Sequence, residues 1–416
     1  MQVTGLKKVF LMGCKKLRAI LWWEGTRQLE VLCIDTLETE DTRLRYSVSD
    51  PSHIQHRNYV VIGDARFIQS LLIKEYGAII TGNLYIEMLV PPTTSSRSSK
   101  GSSRDKVIPK PFCYTYVDVL QQGIYTYDSE MKWPPPLDRH LEIAEGVNIA
   151  NVESEKGIKA IYYVTLKCIH SLHVHDNSCI LAVTPKRPGD SSWFIFVLRW
   201  CRVERCPKLE TVFASGYSYE FSNLETIWAS DLPVAACIWS KGSINDDSAS
   251  FQALESIHLH KCPRLKFALP LSRYTYLPKL EILHITQCGN LRQVFPWDDD
   301  VNVPQQYREA DPMKEFPNLK HILLHDLFNL EKICEAKMTT PMLESVRIRS
   351  CWGLRRLPMI STQNNSHRRP VVHCEEDWWT KLEWDGLPAG HHPSLYEPCY
   401  SSAYYKKRFL RGAVLR

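Results

Sequence analysis

Residues 251–295 read FQALESIHLHKCPRLKFALPLSRYTYLPKLEILHITQCGNLRQVF, and they contain one pattern twice. Leu254, Ile257, Leu259, Cys262 and Leu265 recur at the same spacing as Leu280, Leu283, Ile285, Cys288 and Leu291. Written out, the pattern is L-x-x-L-x-L-x-x-C-x-x-L. Its middle is apolar at alternate positions, the period of a strand with one buried side. The Cys then falls where the chain must leave the strand, a place that needs a small group able to satisfy backbone polar atoms. Neither copy can bury its apolar side alone, so the pattern requires stacking.

Working outward, the same slots fill again. Leu6, Val9, Leu11, Cys14 and Leu17 make a copy at the start, followed by Leu29, Leu32, Ile34 and Leu37. Later come Ile169, Leu172, Val174, Asn177 and Ile180, then Leu198, Cys201, Val203, Cys206 and Leu209. Leu224, Ile227, Ala229 and Leu232 form a weaker copy. Beyond the central pair stand Leu319, Ile322, Leu324, Leu327 and Leu330, then Leu343, Val346, Ile348, Cys351 and Leu354. This is the leucine-rich repeat motif, with Cys or Asn in the turn slot. From Asn177 onward, turn slots are 24 to 39 residues apart, too irregular for a propeller. The expected fold is therefore an α/β solenoid, a leucine-rich-repeat horseshoe. A parallel β-sheet lines its concave face, and irregular loops or short helices its convex face.

Four regions are expected. Residues 1–37 hold N-terminal repeats, and a register beginning at residue 6 implies a further domain in front or a truncated product. Residues 38–165 are irregular, with a short helix at Asp64 to Leu72 and a strand at Asn83 to Leu89. Within them, 91–111 (PPTTSSRSSKGSSRDKVIPKP) has almost no apolar content and reads as a disordered insertion. Residues 166–360 are the repeat array, with extra length in polar loops such as Lys241 to Ser250 and Asp298 to Glu315. Residues 361–416 form a cap, in which Trp378, Trp379, Leu382, Trp384 and Leu387 cover the last repeat, and a basic tail from Tyr404 to Arg416.

Composition narrows the function. The 416 residues are 44% hydrophobic and 23% charged, ample for a large core. A net charge of +5 does not argue for nucleic acid. The longest apolar run, Trp193 to Leu198, is far short of a membrane span, and no signal peptide is recognisable. The 14 Cys lie singly, several of them in turn slots, where a reduced thiol acts as a small apolar group. That usage indicates a reducing compartment and a cytoplasmic location. No phosphate-binding loop, nucleophile elbow or H-E-x-x-H is present, so neither an enzyme nor a cofactor is expected. His170, His173 and His175 cluster in sequence without an acidic orienter in view.

The positions between the apolar slots point into the concave face and offer a protein-binding surface: Trp200, Arg202, Trp228, His258, His260, His284, His321, His325, Arg347 and Arg349. Aromatics and Arg commonly anchor protein interfaces. Neighbouring strands lie about 4.8 Å apart, so His258 and His284 can approach each other. A zinc site is not expected, since no carboxylate or Cys completes a tetrahedral set beside them. Binding that depends on His protonation below about pH 6.5 is the better expectation for such a column.

Phe251 to Phe295, Phe316 to Ile333 (FPNLKHILLHDLFNLEKI) and Met342 to Leu357 (MLESVRIRSCWGLRRL) carry a resemblance. They resemble the repeats of plant nucleotide-binding, leucine-rich-repeat disease resistance proteins, most closely the coiled-coil class found in cereals. Cys374 to Arg416 is similar to the tails that end such cereal proteins. The resemblance covers about 169 to 416, more weakly 1 to 37. It implies recognition of pathogen effectors, of host proteins they modify or of another receptor domain. The nucleotide switch of the family has no counterpart here, so oligomerisation driven by nucleotide does not carry over and the oligomeric state stays open. The alternative is a stand-alone leucine-rich adaptor, for example one presenting targets for ubiquitin ligation. No F-box-like segment precedes the repeats, which weighs against it.

Overall fold

Alternate apolar residues at a fixed spacing place one short strand in each repeat, and the strands stack side by side. The computed structural model describes residues 169–177, 180–183, 197–213, 221–239, 251–272, 277–297, 312–360 and 369–400, together with the strand backbones at 8–12, 31–35, 58–62, 84–88, 139–143, 194–195 and 219–220. Fourteen parallel strands form a single sheet in sequence order. They are β1 (Lys8–Met12), β2 (Val31–Asp35), β3 (Asn58–Ile62), β4 (Leu84–Met88), β5 (Arg139–Ile143), β6 (Ser171–His175) and β7 (Trp200–Glu204). Then follow β8 (Thr226–Ser230), β9 (Ser256–His260), β10 (Ile282–Thr286), β11 (His321–His325), β12 (Ser345–Arg349), β13 (Val371–Cys374) and β14 (Glu397–Tyr400). This is the expected leucine-rich-repeat solenoid.

Each turn is built alike because each slot does the same work. Leu254, Ile257, Leu259, Cys262 and Leu265 are at most 1% exposed, as are Leu280, Leu283, Ile285, Cys288 and Leu291. Burying each large aliphatic side chain contributes about 2 kcal/mol. In the turn slot the Cys thiol donates to the carbonyl two residues back, from Cys206 to Glu204, Cys262 to His260, Cys288 to Thr286 and Cys351 to Arg349. Asn177 fills the same slot differently, its Oδ1 accepting the Ile180 N–H at 2.9 Å.

The residue just before the slot is left-handed in every described turn: Asp176, Arg205, Asp231, Lys261, Gln287, Asp326 and Ser350, with φ between 49° and 57°. Non-glycine residues rarely adopt this conformation. Here it is held by a ladder in which that residue's N–H donates to the end of the next strand, as from Lys261 to the Thr286 carbonyl at 3.0 Å. Aromatic contacts run along the inside of the stack, Phe213 to Phe221 at 4.4 Å and Phe221 to Phe251 at 5.2 Å.

Several expectations change. The sequence reading put one strand between 38 and 165, at Asn83 to Leu89, where the structure has β4. It also has β3 and β5 there, whose sequences NYVVI and RHLEI lack the flanking leucines of a full motif. On the convex side, the described residues hold short parallel pairs in place of helices, such as Thr211–Phe213 with Cys237–Trp239 and Gln293–Phe295 with Lys332–Cys334. The loop expected at Asp298 to Glu315 ends in a further short strand, Met313–Glu315. The sheet continues past residue 360 through β13 and β14. The helix expected at Asp64 to Leu72, the 91–111 insertion, Cys14, the loop at Lys241 to Ser250 and the basic tail lie outside the described residues.

After β12 the repeat plan changes. Ser350 would donate to the next strand end, but β13 gives way to the short helix α1 (Glu376–Trp379), and the Glu375 Oε1 accepts that N–H at 2.8 Å instead. Trp378 is 1% exposed and its Nε1 donates to the Leu354 carbonyl at 3.0 Å. The Tyr396 hydroxyl donates to the Pro358 carbonyl, and Trp379 and Trp384 pack around its ring. Leu387, expected in this cluster, is 50% exposed.

Candidate functional site

The parallel register turns three positions of each strand into columns on the inner wall. One column runs His173, Arg202, Trp228, His258, His284, Leu323, Arg347 and His373. A second runs His175, Glu204, Ser230, His260, Thr286, His325 and Arg349. A third carries Trp200, Thr226, Ser256, Ile282, His321 and Ser345. All ten residues singled out from the sequence fall in these columns.

Their exposure differs from the expectation of an open surface. Trp200, Trp228, His258 and His325 are buried, Arg202, His260, His284, Arg347 and Arg349 are half-buried, and His321 is exposed. In-register strands about 4.8 Å apart bring column neighbours within the thickness of a ring, so they cover one another. Trp228 stacks on His258 at 4.5 Å between centroids and 18° between planes, and His258 meets His284 edge-on at 5.6 Å.

Burial keeps the central imidazoles neutral. Loss of hydration pushes His258 down to about 4, and does the same for His260 with Lys261 adding repulsion. His325 is pushed down to about 3 by burial and by Arg349 and Arg347. His284 is lowered by burial, then by its His neighbours and Arg347. The expected protonation switch below about pH 6.5 is therefore corrected: these rings stay neutral until far lower pH, because the wall withdraws them from water. His260 Nδ1 is hydrogen-bonded to Thr286 Oγ1 at 2.6 Å, while Nδ1 of His258 and of His284 have no partner among the described residues.

At β6 and β7 the chemistry is different. Sequence reading saw no acidic orienter for His173 and His175, and the structure supplies two. Glu204 Oε1 lies 2.9 Å from His173 Nε2, and Asp176 Oδ2 lies 2.8 Å from His175 Nδ1. Arg202 pairs with Glu204 at 3.0 Å and Arg205 with Asp176 at 2.6 Å. Burial alone would raise the Glu204 carboxyl, but the His173 hydrogen bond and the Arg202 charge bring it down to about 2. Glu204 is 31 residues from His173 in sequence, and the strand register makes them neighbours.

No group of three or more His, Cys, Asp or Glu among the described residues is arranged to hold a metal ion. Burial pushes the turn-slot thiol of Cys206 up to about 11, and those of Cys351 and of Cys201 in the strand further up, which holds them protonated. Such thiols suit core positions and not nucleophilic chemistry. No helix among the described residues is long and apolar enough to cross a membrane. Sequence reasoning missed Glu204 as a partner, the left-handed ladder and Glu375. Three Asp among the seven left-handed positions are a faint signal, since Asp tolerates that conformation.

Comparisons with known proteins bear on the same residues. The profile described as plant disease resistance protein RPS2-like, leucine-rich repeats, matches residues 230–366. A disease resistance protein of Arabidopsis thaliana is 28% identical over 247 residues, which is 59% of this chain and 21% of that protein. A putative disease resistance protein of the same plant is 24% identical over 138 residues, 33% of this chain and 15% of its own. A probable one is 24% identical over 135 residues, 32% and 14% respectively. The matched stretch thus spans about a fifth or less of these relatives.

Proposed function

We propose that this chain, a leucine-rich-repeat region of the plant disease resistance type, recognises a protein in the defence response. In this reading it acts in the cytoplasm by binding a pathogen effector, a guarded host protein or another receptor domain, and performs no catalysis. One observation carries it: the inner wall is a continuous set of columns on a hydrogen-bonded sheet, with Arg and His side chains half-buried or exposed along it. Fixed strands hold these side chains in one arrangement, so little entropy is lost when a partner docks. The buried thiols and the neutral, shielded imidazoles support binding over chemistry.

Proximity labelling in plant tissue tests this, comparing the chain with a Ser345→Trp variant. Ser345 lies half-buried on the wall, so the indole obstructs docking whatever the partner's charge. Immune-receptor fragments or effectors labelled by the chain and lost from the variant support the reading. Ligase-scaffold subunits as the main labelled set would replace it with the adaptor, and identical labelling by both forms would remove the wall from recognition.

A further inference from the structure

Beyond the turn slots the chain carries a surface that the inner wall does not use. Between each slot and the short convex strand it reads PRLKF at 263–267, GNLRQVF at 289–295 and FNLEKIC at 328–334. Leu265, Leu291 and Leu330 are buried, and what stays outside is sorted by position. Lys266 and Arg292 stand four residues past the slot in consecutive turns, and Arg264 two residues past it. With Lys332 they set four cations against one carboxylate, Glu331. Arg264, Lys266, Arg292 and Lys332 are exposed, and none has an ion pair among the described residues. Hydrogen bonds fix these turns side by side. The Asn290 N–H donates to the Pro263 carbonyl at 3.3 Å, and Asn329 Nδ2 donates to the Gly289 carbonyl at 2.8 Å. Like charges held on neighbouring strands' spacing repel, and carboxylates brought by a partner remove that cost.

One residue past the slot stand Pro263, Gly289, Phe328 and Trp352. Phe328 is 55% exposed and Trp352 half-buried. A Cβ on Gly353 would lie 2.7 Å from the Leu330 carbonyl, so this glycine lets the Trp352 turn close against the Phe328 turn. Lys381 Nζ lies 5.7 Å from the centroid of the Trp352 ring and adds a further cation. An exposed aromatic beside unpaired cations is a surface that anchors an apolar side chain and attracts negative charge around it.

We infer that this rim, from the turn after β9 to the turn after β12, docks an acidic segment of a partner protein, with its carboxylates on Arg264, Lys266 and Arg292 and an apolar side chain against Phe328. The rim lies outside the inner wall, so this goes beyond the recognition reading and holds or fails separately from it. Arg presents a planar fork that takes a carboxylate through two hydrogen bonds, and the excess of cations selects against basic partners.

The test uses the full chain and three fluorescein-labelled peptides of equal length: one rich in Glu and Asp with a central Leu, its Gln and Asn counterpart, and its Lys counterpart. Binding is followed by fluorescence anisotropy at low and physiological salt. The acidic peptide is expected to bind at least about tenfold more tightly than the other two, and more weakly as salt rises. The double variant Lys266→Glu, Arg292→Glu should weaken it by about tenfold or more. Lys279→Glu, the same charge change at an exposed position before β10, should leave it within about twofold. Phe328→Ala should weaken it by about fivefold, and by no more than about twofold if the central Leu is replaced by Ser. Equal losses from Lys279→Glu and the double variant, or equal binding of the acidic and neutral peptides, would overturn the inference. So would binding that appears only when Asp298, Asp299 and Asp300 are changed to Asn, since the chain's own acidic segment would then be the occupant. Ser345→Trp should leave peptide binding within about twofold, and a larger loss would move the peptide to the wall and remove the rim. Partner labelling abolished by Ser345→Trp, beside equal binding of acidic and neutral peptides, leaves recognition standing while the rim falls.

Discussion

The turns at β6 and β7 and those from β9 to β12 share one backbone plan and solve the problem of inward polar groups in opposite ways. In the first pair, the buried Glu204 and the more exposed Asp176 surround themselves with His173, His175, Arg202 and Arg205, so opposite charges compensate one another. In the second, His258, His260, His284 and His325 are kept neutral by burial. Compensated charge fixes a register. The neutral rings of His258 and His284 each keep an Nδ1 without a partner among the described residues. The repeat supplies the scaffold, and the residue choice within it separates a locked region from a receptive one.

The sharpest probe of the shared plan is a charge in the turn slot. Asn177 tolerates polarity there because its Oδ1 meets the Ile180 N–H, whereas Cys262 is 0% exposed and offers only a thiol donor. Cys262→Asp should cost about 4 kcal/mol or more, seen as a large fall in thermal midpoint. An unchanged melt would mean that the two slots are not equivalent. Next comes the locked region: Glu204→Ala strands Arg202 and His173 without their carboxylate and should cost about 3 kcal/mol in denaturant unfolding. A loss below about 1 kcal/mol would erase the contrast drawn above.

The receptive region answers to pH. A His whose folded pKa is about 4, as for His258 and His260, binds fewer protons folded than unfolded, where it titrates near 6.5. Stability is then full above about pH 6.5 and falls as pH drops towards about 4. Moving from about pH 7 to 5 should remove about 1 to 2 kcal/mol for each ring. The double variant His258→Gln, His260→Gln should flatten that profile, and a wild-type profile already flat over this range would contradict the burial argument. Smallest is the left-handed position. Gln287→Gly relieves φ 57° and should change stability by less than about 1 kcal/mol, in the stabilising direction. Asp176→Gly also removes the pairs with Arg205 and His175 and should cost about 1 kcal/mol or more. If the two glycine variants shift unfolding alike, the ion pairs of the locked region contribute nothing.

Much of the fold was legible because the motif is local. Strand, turn slot and stacking follow from residues within a dozen positions of one another, and the burial of Leu254, Ile257, Leu259 and Cys262 matches that reading. The inner-wall columns were legible too, since period-two alternation assigns faces. What escaped depended on neighbours one repeat away. The Glu204–His173 pair spans 31 residues, and no spacing rule in the sequence joins them. The closing of the wall over Trp200, Trp228, His258 and His325 is a packing outcome that alternation cannot foresee. β3 and β5 lacked the motif's flanking leucines and join the sheet through register with their neighbours.

By itself, then, the sequence determined that this chain stacks short parallel strands and which residues face inward, because both follow from local hydrophobic period. Tertiary structure alone decided which inward residues meet and which are withdrawn from water. Those depend on the register between strands some 24 to 39 residues apart, and local chemistry holds no record of that distance.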